Sequence, residues 1–345
     1  MMSKNTAKTG VLLVNLGTPD STATGDVRKY LREFLMDGRV IDFPFIPRWM
    51  LVNLIIAPFR APKSAKEYRK LWTERGSPLL FHTQDLTDKL RKKLDPKKYH
   101  VEMAMRYQSP SIADGLKALN KANVKKIIVL PLFPQYASAT NGSVIDKVME
   151  EARKWQIIPS ISYVTNFVEH PLFLQAWEEL GREYVAKEEY DMFVFSYHGL
   201  PERQIKKGSV DGYCQLSDKC CAQYTKKNQF CYRSQCFLTT RLIAERLNLP
   251  EEKVKTCFQS RLGNDPWIKP YTEDLIKEMA AKGVKKVLVF SPAFVADCLE
   301  TTVEVGEEYK EEFIELGGTA WDLVPSLNSK DTWVDCVQSI VEKEA

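Results

Sequence analysis

Histidine is scarce in this chain, with four among 345 residues, so proton chemistry near neutral pH rests on very few imidazoles. No Gly-x-Gly-x-x-Gly follows any predicted strand, which disfavours a Rossmann oxidoreductase. No Cys-x2-Cys knuckle occurs, so the common zinc-ribbon spacing is absent. Charge of one sign is nearly balanced by the other: 49 Lys and Arg against 45 Asp and Glu leave +4. Without an arginine-rich tail to concentrate it, that excess argues for no nucleic-acid partner. A membrane span of about 20 apolar residues is missing too. The greasiest stretch, residues 43–62, is broken by Pro44, Pro47, Arg48, Asn53 and Pro58. The first ten residues are polar and carry no secretory apolar core, which predicts a cytoplasmic protein.

What is present fits an ordinary globular chain, with 44% hydrophobic and 27% charged residues, too long for one core and long enough for two. Short β-branched runs alternate with amphipathic stretches. Val11–Asn15, His100–Met105, Lys126–Leu132 and Ile158–Val164 read as strands, and Met192–Tyr197, Val254–Gln259, Lys286–Ser291 and Ala320–Val324 form a second set. Runs apolar on both faces imply parallel sheets covered by helices on both sides. The halves resemble each other: Asn123-Val-Lys-Lys-Ile-Ile-Val-Leu-Pro-Leu-Phe matches Gly283-Val-Lys-Lys-Val-Leu-Val-Phe-Ser-Pro-Ala-Phe. The expectation is an α/β protein with a duplicated doubly wound unit and a ligand cleft where strand carboxyl ends meet. The segment 43–62 reads either as a helix covering the core or as an exposed apolar lip. Composition alone favours the buried helix.

His198 stands apart from His82, His100 and His170 because it ends a strongly apolar strand and precedes Gly199-Leu-Pro, where open α/β sheets build their sites. After the strand ending at Ser291 come Asp297 and then Glu300, Glu304 and Glu308. At four-residue spacing a helix stacks these carboxylates in one file, a solvated face or a row of oxygen donors for cations. Five of eight cysteines, Cys214, Cys220, Cys221, Cys231 and Cys236, lie within 23 residues. In a reducing compartment such a cluster predicts a metal site, zinc or iron–sulfur, with one of the adjacent Cys220 and Cys221 spare.

Ser196-Tyr-His-Gly-Leu-Pro-Glu-Arg, Asp297-Cys-Leu-Glu-Thr, Pro134-Gln-Tyr-Ala-Ser-Ala-Thr-Asn-Gly-Ser and Val14-Asn-Leu-Gly-Thr-Pro together resemble the ferrochelatase family, whose members insert Fe²⁺ into a porphyrin. The resemblance implies a chelatase fold of two pseudo-duplicated Rossmann-like lobes, each with a four-stranded parallel sheet flanked by helices. It implies lobe 1 over 10–170 with an apolar lip at 43–62, and lobe 2 over 171–335 with a cysteine-rich insertion at 211–236. A flexible N-terminus would cover 1–9, and a C-terminal helix over 330–345 would pack back on lobe 1. It matches His198 and Glu300 to the catalytic pair, and Glu304 and Glu308 to an acidic path for Fe²⁺ or protons, on a helix with a π-type bulge. Leu16, Arg106, Tyr107, Trp267 and Phe294 match positions lining the macrocycle, with Leu16 and Trp267 suited to its two faces. Arg60, Tyr68 and Ser77 match residues that hold the propionates.

The same resemblance turns the reading of 43–62 to an apolar lip, a point of peripheral contact at the inner face of the membrane. It also likens the cysteine segment to an insertion carrying a [2Fe-2S] cluster. Cys298 departs from the family, which commonly has a histidine there. Protoporphyrin IX is expected over coproporphyrin III, because coproporphyrin users often carry tyrosine at the position of Leu16. The competing readings are a non-enzymatic haem- or metal-binding protein and a cobalt or nickel chelatase.

Overall fold

Strands greasy on both faces persist only where helices cover both faces. In the computed structural model, which describes residues 8–261, 263 and 265–345, the eight predicted runs pair as two parallel sheets. They belong to two compact units. The first comprises residues 1–133, 138–165 and 329–345, and the second residues 134–137 and 166–328. The chain thus changes unit a few residues before the predicted boundary, and the last helix, Asp331–Glu344, belongs with the first unit. There Lys89 Nζ donates to Ser329 O at 2.7 Å and to Asp331 Oδ1 at 2.8 Å. Of the N-terminal segment expected to be flexible, residues 1–7 lie outside the described residues, while Thr9 already opens the first strand.

The first unit holds β1 (Thr9–Gly17), β2 (Tyr99–Tyr107), β3 (Lys126–Pro131) and β4 (Ser160–Tyr163) in the order β2-β1-β3-β4. One face buries Leu12, Val14, Ala104, Ile127 and Val129 under Ile112, Leu116 and Leu119 of one helix and Val144 and Val148 of another. The first of these helices starts at Ser111, whose hydroxyl accepts from the Asp114 N–H while Asp114 reaches back, a capping box. The second unit holds β5 (Met192–His198), β6 (Val254–Gln259), β7 (Lys286–Phe290) and β8 (Ala320–Leu323) in the order β6-β5-β7-β8. The order is that of the first sheet, so the duplication extends from sequence to topology.

In the second unit Val194, Val287 and Val289 pack under Leu275, Ile276, Val305, Tyr309 and Phe313. Val305 lies in a nine-residue π-helical segment, Glu300–Glu308, that runs into the helix Tyr309–Glu315. Burial of Val303, Val305 and Tyr309 anchors one side of this segment. Glu300 and Glu304 are left half-buried and Glu308 exposed. A π-helical turn of this length is rare and concentrates at functional sites.

Residues 43–62 form the helix Phe45–Met50, a π-helical turn Leu51–Ile56 and the start of the helix Ala57–Leu71. Val52, Ala57, Ala61 and Ala65 are buried. Ile46 and Phe59 are 70% and 77% exposed, and Phe45, Leu54 and Ile55 are exposed with them. Composition had pointed to a core-covering helix. The small residues alone do that job, and the large apolar ones face outward. Among the described residues no helix is long and apolar enough to cross a membrane.

Candidate active site

His198 is the last residue of β5, half-buried, and its Nδ1 lies 2.6 Å from the Gly199 carbonyl oxygen. A carbonyl only accepts, so Nδ1 carries the proton and Nε2 is the basic nitrogen. The His198–Gly199 peptide is itself held at both ends. Its carbonyl accepts from Tyr232 OH at 2.9 Å, and its N–H donates to Gln259 O at 2.8 Å. The Trp267 ring stands 6.4 Å from the imidazole, centroid to centroid, and Trp267 is nearly buried. A Cβ built on Gly199 would sit 2.9 Å from Gln259 O and 3.0 Å from Trp267 Cε3, so only glycine allows this approach. Gly199→Ala is expected to cost about 1–3 kcal/mol of stability through overpacking. Thermal unfolding of the variant reads this cost.

Gln259 leads from the histidine to the carboxylates. It pairs with His198 in the β5–β6 ladder and is 1% exposed. Its Oε1 accepts from Ser196 Oγ at 2.7 Å, and its Nε2 donates to Glu304 Oε2 at 3.1 Å and to Glu300 O at 3.2 Å. Ser260 Oγ donates to the same Glu304 oxygen at 2.6 Å, and Tyr309 OH donates to Oε1 at 3.1 Å. Burial, and then the Glu304 charge, push the Tyr309 phenol up, so it remains a donor. Three neutral donors therefore fix Glu304 in place. Cys298, in the position where the family commonly has histidine, is buried and contacts Glu300. Burial first, and then the Glu300 carboxylate, raise its thiol well above the ordinary range, so Cys298 stays protonated. Phe294, half-buried, closes the turn after β7 by donating its N–H to Ser291 O.

These residues were expected to include a metal path through His198, Glu300, Glu304 and Glu308. Among the described residues no three His, Cys, Asp or Glu side chains are arranged to hold a metal ion. Glu304 is tied to Gln259, Ser260 and Tyr309, and the Nδ1 of His198 to a carbonyl, so the set is not preformed as a coordination shell.

In the first unit, Leu16 is half-exposed at the end of β1, and Gly17 after it has φ +113°. A Cβ there would lie 2.0 Å from Tyr107 O. Arg60 is exposed and Tyr68 buried on the helix Ala57–Leu71. Ser77 precedes the helix Pro78–Lys93, 1% exposed, and its hydroxyl finds no protein partner. An orphan hydroxyl at the positive end of a 16-residue helix suits a carboxylate.

Tyr107 differs from the expectation of a residue lining the macrocycle, and Arg106 is half-buried. Tyr107 is fully buried, and its hydroxyl donates to Asp37 Oδ2 at 2.9 Å, leaving it no face for a ring. Arg106 donates to Asp37 at 2.6 Å and to Ser143 Oγ at 2.6 Å. Burial alone would raise the Asp37 carboxyl, but Ser143, the Arg39 N–H and Arg106 outweigh it and hold it below its ordinary value. A depressed carboxylate contributes stability above its unfolded value, about 3.9, and loses it as pH falls through the folded one. Asp37→Asn is expected to cost about 1–3 kcal/mol at pH 7 and to flatten the decline toward pH 3, read from urea midpoints at both pH values.

Comparison with known proteins now bears on this geometry. The Ferrochelatase family model matches residues 8–345. Curated relatives named ferrochelatase include one from Legionella pneumophila strain Lens, 45% identical over 335 residues, 97% of this chain and 99% of its own. Another, from Coxiella burnetii strain Dugway 5J108-111, is 42% identical over 341 residues, 99% of this chain and 95% of its own. The chain belongs to the ferrochelatase family. A solved structure of SirB from Bacillus subtilis with Fe³⁺ aligns with a TM-score of 0.57 at 12% identity, covering 98% of this chain and 96% of that one. At that identity the likeness extends to the chelatase fold alone.

In this ferrochelatase-family chain the cysteine segment is a second centre of interest. Cys214, Cys220, Cys221 and Cys231 line one small cavity, so Cys220 and Cys221 both face it. Cys236 is not among the lining residues. It is fully buried in the helix Tyr232–Arg246, with its sulfur against the Tyr232 hydroxyl. Among the described residues the thiols do not form a preset ligand shell. Cys231 donates to Cys214, which is thereby pushed down to about 6. Burial pushes Cys221 up to about 11 although Arg233, 3% exposed, donates to its sulfur at 3.0 Å.

Sequence reasoning missed Gln259, Ser260 and Tyr232. Gln259 ends β6, so the strand-end rule that selected His198 also reaches it. No local pattern announces Tyr232 or the Asp37 network, because their partners lie 34 and about 70 residues away.

Proposed function

We propose that this protein inserts Fe²⁺ into protoporphyrin IX to form haem, releasing two protons, with His198 as the proton acceptor. A free-base porphyrin is flat, and two pyrrole N–H groups occupy the place of the metal. The ring must buckle so that a nitrogen lone pair leaves the plane, two protons must depart, and Fe²⁺ must lose water. Remote binding of ring faces and propionates offsets the strain of buckling. A base titrating near neutral pH takes the protons, and imidazole is suited to it.

The observation that carries this reading is the single basic nitrogen of His198, oriented by Gly199 O beside Trp267 and linked through Gln259 to the carboxylate segment. Family membership supports it. Glu300, whose backbone carbonyl accepts from Gln259 Nε2, has a neutral Cys298 against it. We assign Glu300, Glu304 and Glu308 to the path of Fe²⁺ or protons. Glu304 attracts cations from a fixed position, and Glu308 meets them at the surface. Trp267, Phe294 and Leu16 are assigned to the macrocycle. Arg60 and the orphan hydroxyl of Ser77, with Tyr68, are assigned to the propionates. Arg106 is assigned to the macrocycle as well, held by Asp37, which Tyr107 also bonds. The exposed apolar lip at 43–62 supports peripheral contact with a bilayer.

For the cysteine segment we propose a [2Fe-2S] cluster held by Cys214, Cys220, Cys221 and Cys231, with Cys236 outside it. Four sulfurs on one cavity and a buried guanidinium facing one of them fit an anionic thiolate-ligated group. Such a cluster supplies electron-transfer chemistry when bound, and iron insertion into a porphyrin has no redox step. Its role is therefore structural or sensing.

The substrate choice is tested by offering purified protein Fe²⁺ anaerobically with either porphyrin and following the Soret band. Faster turnover of protoporphyrin IX is expected. Preference for coproporphyrin III would overturn the role given to Leu16.

A further inference from the structure

The cysteine-rich segment ends where the helix Tyr232–Arg246 begins, and its last cavity residue, Cys231, is the N-cap of that helix. The next two residues reach in different directions. Tyr232, 6% exposed, donates its hydroxyl to the His198 carbonyl at 2.9 Å. Arg233 donates to Ser217 O at 3.0 Å, Cys221 Sγ at 3.0 Å and Asp218 Oδ1 at 2.8 Å on the cysteine side. On the other side its Nε donates to Lys269 O at 3.1 Å, two residues beyond Trp267.

The consequence lies in one peptide group. The imidazole is oriented by Gly199 O, and Gly199 has no side chain to limit its rotation. The preceding His198–Gly199 peptide is held by a bond to Gln259 O and one from Tyr232 OH. Removing the second leaves that peptide held at one end, so Gly199, whose own carbonyl in the next peptide orients Nδ1, loses one of the anchors that place it.

We infer that Tyr232 is a positioning residue for His198, through which the cysteine-rich segment fixes the orientation of the catalytic imidazole. This rests on the reading of His198 as proton acceptor. Arg233 acts in parallel, holding the turn around Cys221 and the loop carrying Trp267 to the same helix. A rearrangement at Cys231 is thus transmitted to the imidazole by its immediate neighbour.

Tyr232→Phe keeps the buried ring and removes only the hydroxyl. Its kcat for iron insertion is expected to fall about 10–100-fold, since small misplacements of a reacting group have effects of that order. KM for porphyrin and Fe²⁺ should stay within about twofold. In ¹⁵N-histidine-labelled protein the four imidazoles are resolvable by NMR, with His198 assigned by its loss in His198→Ala. Tyr232→Phe should move the His198 signal and leave those of His82, His100 and His170 in place. Should that variant fail to fold, Arg233→Lys, which keeps the buried charge but not the bond to Lys269 O, is expected to move the same signal by less. An unmoved His198 signal with wild-type kcat, in whichever variant folds, overturns the inference. If His198→Ala itself retains turnover, the proton-acceptor reading fails instead, whatever Tyr232→Phe does.

Discussion

His198→Ala is expected to lower kcat for iron insertion by about 10²–10⁴-fold, the range that a positioned acid or base contributes, while porphyrin still binds. The size of the effect follows from how few alternatives exist. The other three histidines are in different settings: His82 on the helix Pro78–Lys93, His100 beside Glu102 on β2, and His170 capping the helix Pro171–Val185. Beyond the histidines, the Tyr232 phenol at the His198 carbonyl, the Cys298 thiol beside Glu300 and the Tyr309 phenol on Glu304 are pushed up and stay protonated. None of them accepts a proton near neutral pH. Glu304 already accepts from Gln259, Ser260 and Tyr309. Steady-state Soret assays with saturating Fe²⁺ check the outcome. Retention of near-wild-type kcat would remove His198 from the mechanism.

Cys231→Ser is expected to abolish the visible absorption of the purified protein and to lower its Tm, whereas Cys236→Ser should keep the colour. The two cysteines are five residues apart and were equivalent by spacing, but they differ in surroundings. Cys231 lines the cavity with Cys214, Cys220 and Cys221 and donates to Cys214. Cys236 faces Tyr232 one helical turn further on. Losing the Cys231 thiol removes the strongest partner of Cys214. At about 1–3 kcal/mol for such a loss and about 2–4 °C per kcal/mol for a unit of this size, Tm should drop about 2–12 °C. Absorption spectra and thermal melts of both variants decide it. Bleaching by Cys236→Ser with Cys231→Ser coloured would reverse the ligand assignment, and a colourless wild type with stoichiometric zinc would refute the cluster.

The fold was legible because burial on both faces leaves a period-free apolar run that few other structures produce. Val254–Gln259 is a strand with the predicted bounds, and the other seven differ by at most two residues at either end. His198 and Glu300 were singled out for a related reason, standing at or after the carboxyl ends of core strands. The lip was harder. Its apolar content is compatible with burial, and only packing reveals that Val52, Ala57, Ala61 and Ala65 cover the core while Ile46 and Phe59 do not. The roles of Tyr107 and Cys236 were out of reach of sequence, since each is decided by a partner's position: Asp37 for the phenol, Tyr232 for the thiol. Spacing names candidates, and three-dimensional contacts choose among them.

Anaerobic incubation of the purified protein with Fe²⁺ and metal-free protoporphyrin IX tests the central claim most directly. The account predicts catalytic conversion of the free-base spectrum to that of haem, many equivalents per protein, with two protons released per iron inserted and the rate lost in His198→Ala. Tight retention of added haem with no turnover of the metal-free ring would contradict it, and would make the protein a carrier rather than an enzyme.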